Sequence, residues 1–241
     1  MSEQPIPYGR QCLDDDDVEA VLEVLRSPWL TTGPRVAGLE ERFAVAVGAG
    51  HGVAVSSGTA ALHAAMFAAG IGPGDEVVVP AITFVASANC VVHQGGTPVF
   101  ADVEADTLLL DPASVEARIT PRTKALVAVD YAGQACDYQA LGAIADEHGL
   151  VLVADACHAL GGSFRGRPVG SLAALSAFSF HPVKHITSGE GGMVTTGDQA
   201  MAEAMRRFRN HGIDRDFRSR QGSWQYEMCA VSYTHLTLPT N

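Results

Sequence analysis

Lys184 stands in SFHPVKHITSGEGG, residues 179–192, a turn dense in glycine; the nearest lysine upstream is Lys124 and none follows. A lysine held in a dry pocket gives up its proton readily. Its free amine is then a nucleophile that forms a Schiff base with an aldehyde. A solvated surface lysine is the plain alternative. Asp155 closes the apolar run LVLVAD. A carboxylate at the end of a buried strand is largely stripped of water and calls for a cation, such as a protonated ring nitrogen. The plain alternative is an aspartate that caps a following helix. Ser57, Gly58 and Thr59 open an alanine-rich stretch. Free backbone N–H groups and the positive end of a helix dipole make an anion site there, and glycine permits close approach. Small residues at that place can equally serve only as a cap.

These residues act together only if the chain brings them together. GVAVSSGTAALHAAMFAAG reads as a strand, a tight turn and a helix, and the same unit recurs along the chain. DEVVVP, PVFADV, TKALVAVD, LVLVAD, ALSAFSF and GGMVTT read as strands. AITFVASANCVVHQG follows the first of these. A helix lies around YQALGAIADEHG, and another over DQAMAEAMRRFRNHG. Val18, Val21, Leu22 and Leu25 share one face of a helix from Asp14 to Arg26, and a second helix is expected from Val36 to Val47. Strands alternating with helices predict an α/β fold with a mostly parallel sheet covered on both faces. Ligands in such folds bind at the carboxyl ends of the strands. Residues 56–59, Thr83 with Phe84, Asp155 to His158, and Ser179 to Lys184 all fall at that edge. One lysine for an aldehyde, one aspartate for a ring nitrogen and one helix start for a phosphate are the parts that pyridoxal 5′-phosphate (PLP) requires. Phe84 can stack on the ring.

Composition narrows the function classes. The chain has 241 residues, enough for one large domain with a substantial core. A formal charge of −11 argues against nucleic-acid or anionic-membrane binding. The five cysteines show no CxxC spacing and an odd count, so reduced thiols and a cytoplasmic location are expected, with no metal site. MSEQPIPYGRQ has no apolar signal core, and no apolar run reaches the ~18 residues of a membrane span. No GxGxxG follows the first strand, which disfavours a Rossmann dehydrogenase.

The motifs resemble those of the DegT/DnrJ/EryC1/StrS family of PLP-dependent sugar aminotransferases. They are PYGRQ, WLTTGPRVAGLEERFA, AVSSGTAALHAA, VVVPAITFVASANC, ADACHALGG, SFHPVKHITSGEGGMVTT and RNHGI, in the family's order over residues 5 to 228. The resemblance implies a type I aminotransferase fold: a large domain with a mixed seven-stranded sheet, a small C-terminal domain and a homodimer. It implies that Lys184 holds the cofactor and shuttles protons, and that Asp155 pairs with the ring nitrogen. It puts His158 beside the ring and its phenolic oxygen, and Phe84 on the ring face. Gly58 and Thr59, next to Ser57, would clamp the phosphate with the Ser179 hydroxyl. TTGP, SFHPVKxIT and WxYEM are most similar to the branch that aminates C4 of a UDP-linked 4-keto-6-deoxy-N-acetylhexosamine with L-glutamate. Its product resembles UDP-4-amino-4,6-dideoxy-N-acetyl-β-L-altrosamine, a pseudaminic-acid precursor.

The family pattern also sets expectations about extent. Residues 1–30 form an N-terminal segment and helix, and 31–228 a PLP-binding large domain. CAVSYTHLTLPTN, residues 229–241, reads as a non-native tail standing where relatives continue into LGYNYR and the small domain. A chain so shortened would turn over poorly. Two other readings stay open: a family dehydratase, in which histidine replaces the lysine, and an inactive PLP-binding regulatory protein.

Overall fold

A computed structural model describes residues 9–31 and 33–212. RNHGI in part, WxYEM and the tail at 229–241 lie outside the described residues. Helix α1 spans Asp15–Arg26. The Asp14 side chain accepts from the amides of Asp16 and Asp17, and Asp17 answers on the Asp14 amide, so the run of aspartates is a capping box. The apolar face expected on α1 is present, but Val18, Val21 and Leu25 remain 52–60% exposed. Helix α2 spans Pro34–Ala46, starting two residues earlier than expected because Pro34 at the first turn is already set for helix.

Strand β1 (His51–Val55) leads into α3 (Gly58–Ala68), and β2 (Glu76–Pro80) into α4 (Ala86–His93). After β3 (Thr97–Ala101) and the short α5 (Pro112–Glu116) come β4 (Thr123–Val129), α6 (Tyr138–His148) and β5 (Val151–Asp155). The two-residue strands β6 (Ser163–Phe164) and β7 (Arg167–Pro168) form a small hairpin that periodicity does not foretell. The chain then continues through β8 (Leu175–Ser179), β9 (Gly192–Thr196) and α7 (Gln199–Arg209). Seven strands make one sheet in the order β1-β9-β8-β5-β4-β2-β3. Only β9 runs against the rest, so the expected mostly parallel sheet is found.

Alternation along the central strands splits the core in two. Val77, Val79, Val127 and Val153 face α3, α4 and α7 with Leu62, Met66 and Met205. Val78, Leu126 and Leu152 face α5 and α6 with Leu141 and Val115. A third cluster seats α2 through Phe43, whose ring meets Phe178 and Phe180 edge-on.

β4 and β5 both end on an aspartate. Asp130, just past β4, is fully buried and accepts from the Cys136 amide at 2.9 Å and from the Tyr138 hydroxyl at 3.0 and 2.9 Å. These bonds close the loop that carries Tyr131. Burial, with the Asp155 charge adding to it, pushes the Asp130 carboxyl up to about 7 against the amide and hydroxyl donors. The folded chain therefore binds this proton more tightly than the unfolded chain. The stability it contributes is full below about pH 4 and fades as pH rises through about 7. Asp130→Asn should remove that slope: wild-type stability relative to the variant falls by at most about 4 kcal/mol across the window, read by urea unfolding. Gly192→Ala should cost about 3 kcal/mol in the same assay, because a Cβ there would lie 2.6 Å from the Ser57 carbonyl carbon and 2.8 Å from the Phe178 oxygen.

Candidate active site

The carboxyl ends of β1, β2, β4, β5 and β8 meet in one cleft of about 600 Å³. Ser57, Gly58 and Thr59, after β1, and Phe84, after β2, line it from strands toward opposite ends of the sheet order. Asp155, His158, Ser179 and Lys184 line it from the β5 and β8 ends between them. Every site residue singled out in the sequence therefore reaches the same cavity.

α3 starts at this edge. Ser57 is its N-cap, and its hydroxyl accepts from the Ala60 amide at 3.0 Å. The amides of Gly58 and Thr59 find no acceptor among the described residues, so two N–H groups are free at the positive end of the helix. Ser179, the last residue of β8, packs onto Gly58 so closely that a Cβ on the glycine would lie 2.8 Å from the serine Cβ. Cys157 closes the other side, its Sγ 3.0 Å from the same point. Only a glycine fits, and it brings the Ser179 hydroxyl beside the free amides.

Asp155 is 7% exposed. Its carboxylate accepts from the Ser87 hydroxyl at 2.6 Å and from the Cys157 amide at 3.3 Å. Among the described residues no Lys, Arg or His forms an ion pair with it. No helix follows it, so the capping alternative is not what the chain does. A buried carboxylate without a cation is an unfinished interaction.

Lys184 is half-buried, in a turn where its amide donates to the His181 carbonyl at 2.9 Å. The dry pocket expected around it is not found. Val183 and His185 on either side are exposed, so water reaches this corner of the cleft. Phe84 is on the rim with 71% of its surface exposed. His158 is half-buried. Burial first, and the Lys184 charge second, hold its imidazole below the usual histidine range against the pull of Asp155, which favours the neutral ring at neutral pH. His181 also lines the cleft, while His185 does not.

Sequence reasoning missed four groups. Asp130 and Tyr131 line the cleft at the end of β4, and the twin endings LVAVD and LVLVAD were the available signal. Glu190 lines it from the glycine turn. Ser87, on α4, touches Asp155 across 68 residues of chain, a contact no local pattern announces.

The chain resembles known proteins over nearly its whole length. Residues 11–235 match the model of the DegT/DnrJ/EryC1/StrS aminotransferase family. The spore coat polysaccharide biosynthesis protein SpsC of Bacillus subtilis is 45% identical over 231 residues, 95% of this chain and 59% of that protein. PseC of Helicobacter pylori, an aminotransferase involved in the biosynthesis of pseudoaminic acid, superposes with a TM-score of 0.86 at 36% identity, over 93% of this chain and 60% of that one. The PLP form of Spr1654 from Streptococcus pneumoniae gives 0.86 at 34% identity, over 92% of this chain and 60% of that one. The chain thus spans about three-fifths of the length of these relatives. Free helix amides, a buried unpaired carboxylate and a cleft lysine lie within the matched residues, and the chain belongs to the DegT/DnrJ/EryC1/StrS aminotransferase family.

Proposed function

We propose that this chain carries the cofactor site of a PLP-dependent sugar aminotransferase. The observation that supports this reading best is the buried Asp155 carboxylate, which faces the cleft with no ion-pair partner among the described residues. The donor set fits the cofactor. The free amides of Gly58 and Thr59 and the Ser179 hydroxyl suit a phosphate. Asp155 suits the protonated ring nitrogen, Phe84 the ring face and His158 the phenolic oxygen. Lys184 supplies the amine for the aldehyde. Bound there, PLP supplies the electron sink that makes an amino acid's Cα–H acidic.

The chain's own part is then proton handling and orientation. Lys184 Nζ would take the Cα proton from the amino donor and pass it to the bound cofactor, and in the second half would carry a proton the other way to the sugar carbon, so one amine serves as tether and base. Asp155 keeps the ring nitrogen protonated by its charge. His158, neutral at pH 7, offers a hydrogen bond without adding charge beside Lys184. Lys184 lines the cleft and His185 does not, which favours amino transfer over the dehydration run by relatives with histidine at the lysine position.

The substrate reading is a UDP-linked 4-keto-6-deoxy-N-acetylhexosamine, with L-glutamate as amino donor and a homodimer as the working unit. TTGP and SFHPVKHIT support it, as does the likeness to PseC. A protein containing this chain should turn that sugar and L-glutamate into the 4-amino sugar, seen by mass spectrometry as product with nitrogen at C4. A sugar product without nitrogen points to the dehydratase and overturns the reading. Borohydride reduction of the chain with PLP should leave a label on the Lys184 peptide. Lys184→Arg, which keeps the charge but not the nucleophile, should lose the label and at least about 10³-fold in turnover.

A further inference from the structure

Ser87 is fully buried on α4 and is not one of the residues lining the cleft, and the Ser87–Asp155 contact is the shortest to that carboxylate. At 2.6 Å it has the length of a hydroxyl bonded to an ionised acid. Ser87 Oγ has a second partner, Thr83 Oγ1 at 2.7 Å. Thr83 is half-buried and lines the cleft.

Proton counting orients this chain. An ionised carboxylate only accepts, so the single Ser87 hydroxyl proton points to Asp155 Oδ2. Ser87 Oγ must then accept from Thr83, which makes Thr83 the donor. The order is Thr83 to Ser87 to Asp155. Each bond strengthens the next, because a hydroxyl that accepts becomes a better donor. Were Asp155 protonated on Oδ2, the whole order would reverse. The titratable groups around the carboxylate are Asp130 after β4, Cys90 on α4, Tyr138 on α6, and Cys157 and His158 after β5, with Lys184 of the glycine turn lining the same cleft. Among the bonds the structure shows, only Ser87 donates a hydroxyl to Asp155, and one amide at 3.3 Å assists it.

We propose that Ser87, backed by Thr83, is the positioning residue that holds the Asp155 carboxylate charged and aimed at the ring nitrogen of the cofactor. The inference rests on the cofactor reading above. It assigns Ser87 no contact with the cofactor: the serine acts through Asp155 alone. The charge on Asp155 matters only to a ligand that presents an N–H at that place.

That condition separates a positioning role from a merely structural one. The test measures binding of PLP and of 1-deazapyridoxal 5′-phosphate, in which C–H replaces the ring nitrogen, by absorbance titration of the purified chain. Ser87→Ala should weaken PLP binding roughly 10- to 100-fold and leave the deaza analogue's affinity unchanged. Thr83→Val, at a half-buried position that tolerates the isosteric change, should weaken PLP binding about 3-fold with the same selectivity. It carries the test if Ser87→Ala does not fold. Equal weakening of both ligands overturns the proposal and makes Ser87 structural. Unchanged PLP binding in both variants also overturns it. A wild-type chain that binds neither ligand overturns the cofactor reading itself, and this inference with it.

Discussion

Burying a carboxylate without a cation costs several kcal/mol unless donors replace the lost water. Asp155 is in that position at the end of β5, held by one hydroxyl at 2.6 Å and one amide at 3.3 Å. The surroundings are arranged around this single charge. Asp130, at the end of the adjacent strand, is also buried, and burial first, with the Asp155 charge adding to it, pushes its carboxyl up to about 7. The tyrosine and cysteine beside Asp130 are pushed upward for the same reasons, burial first and the aspartate charge next. The floor of the cleft is thus biased toward one negative charge rather than two. A ligand with one ring cation satisfies it.

Parallel topology is what sets that charge opposite the amides at the start of α3. In a β-α unit the strand's carboxyl end and the helix's N-terminus share an edge. β1 is at the margin of the sheet, yet the helix it feeds, α3, lies back across β9 and β8. That crossing brings Gly58 onto Ser179 at the end of β8. β9, the one antiparallel strand, starts at the same edge with Gly192, where the Ser57 backbone passes too close for any side chain. Two glycines at the crossing, Gly58 and Gly192, are therefore required by contact distance, with no need of unusual backbone angles.

Strand-end logic made much of this readable in advance. Asp155, Ser179 and Gly58 each follow an apolar run, and a parallel sheet sends all such ends to one edge. What stayed hidden depends on contacts between distant elements. Ser87 sits in ASAN, which reads as ordinary helix, and its meaning comes from β5 arriving beside α4. Asp130 was visible as a twin ending, but its buried tyrosine partner appears only when α6 folds under β4. Lys184 is half-buried because the glycine turn that carries it projects from the sheet edge. Phe84 is exposed for the same reason: it belongs to a connecting loop, not to a layer.

Each local signal here is weak alone, and their conjunction is strong for a physical reason. A free helix end, a buried acid and a lysine are individually common, and each has a bland use. Their bland uses differ in what they demand, however. A cap needs no empty cleft before it, and a structural acid needs a cation or several donors. A surface lysine needs no glycine turn to carry it toward a sheet edge. In this fold the free amides face a cavity, the acid has no ion-pair partner among the described residues and the lysine opens onto the same space. On the proposed cofactor reading, one ligand with a phosphate, a basic ring nitrogen and an aldehyde would complete all three interactions at once. Separate bland explanations would leave the cavity between them unaccounted for.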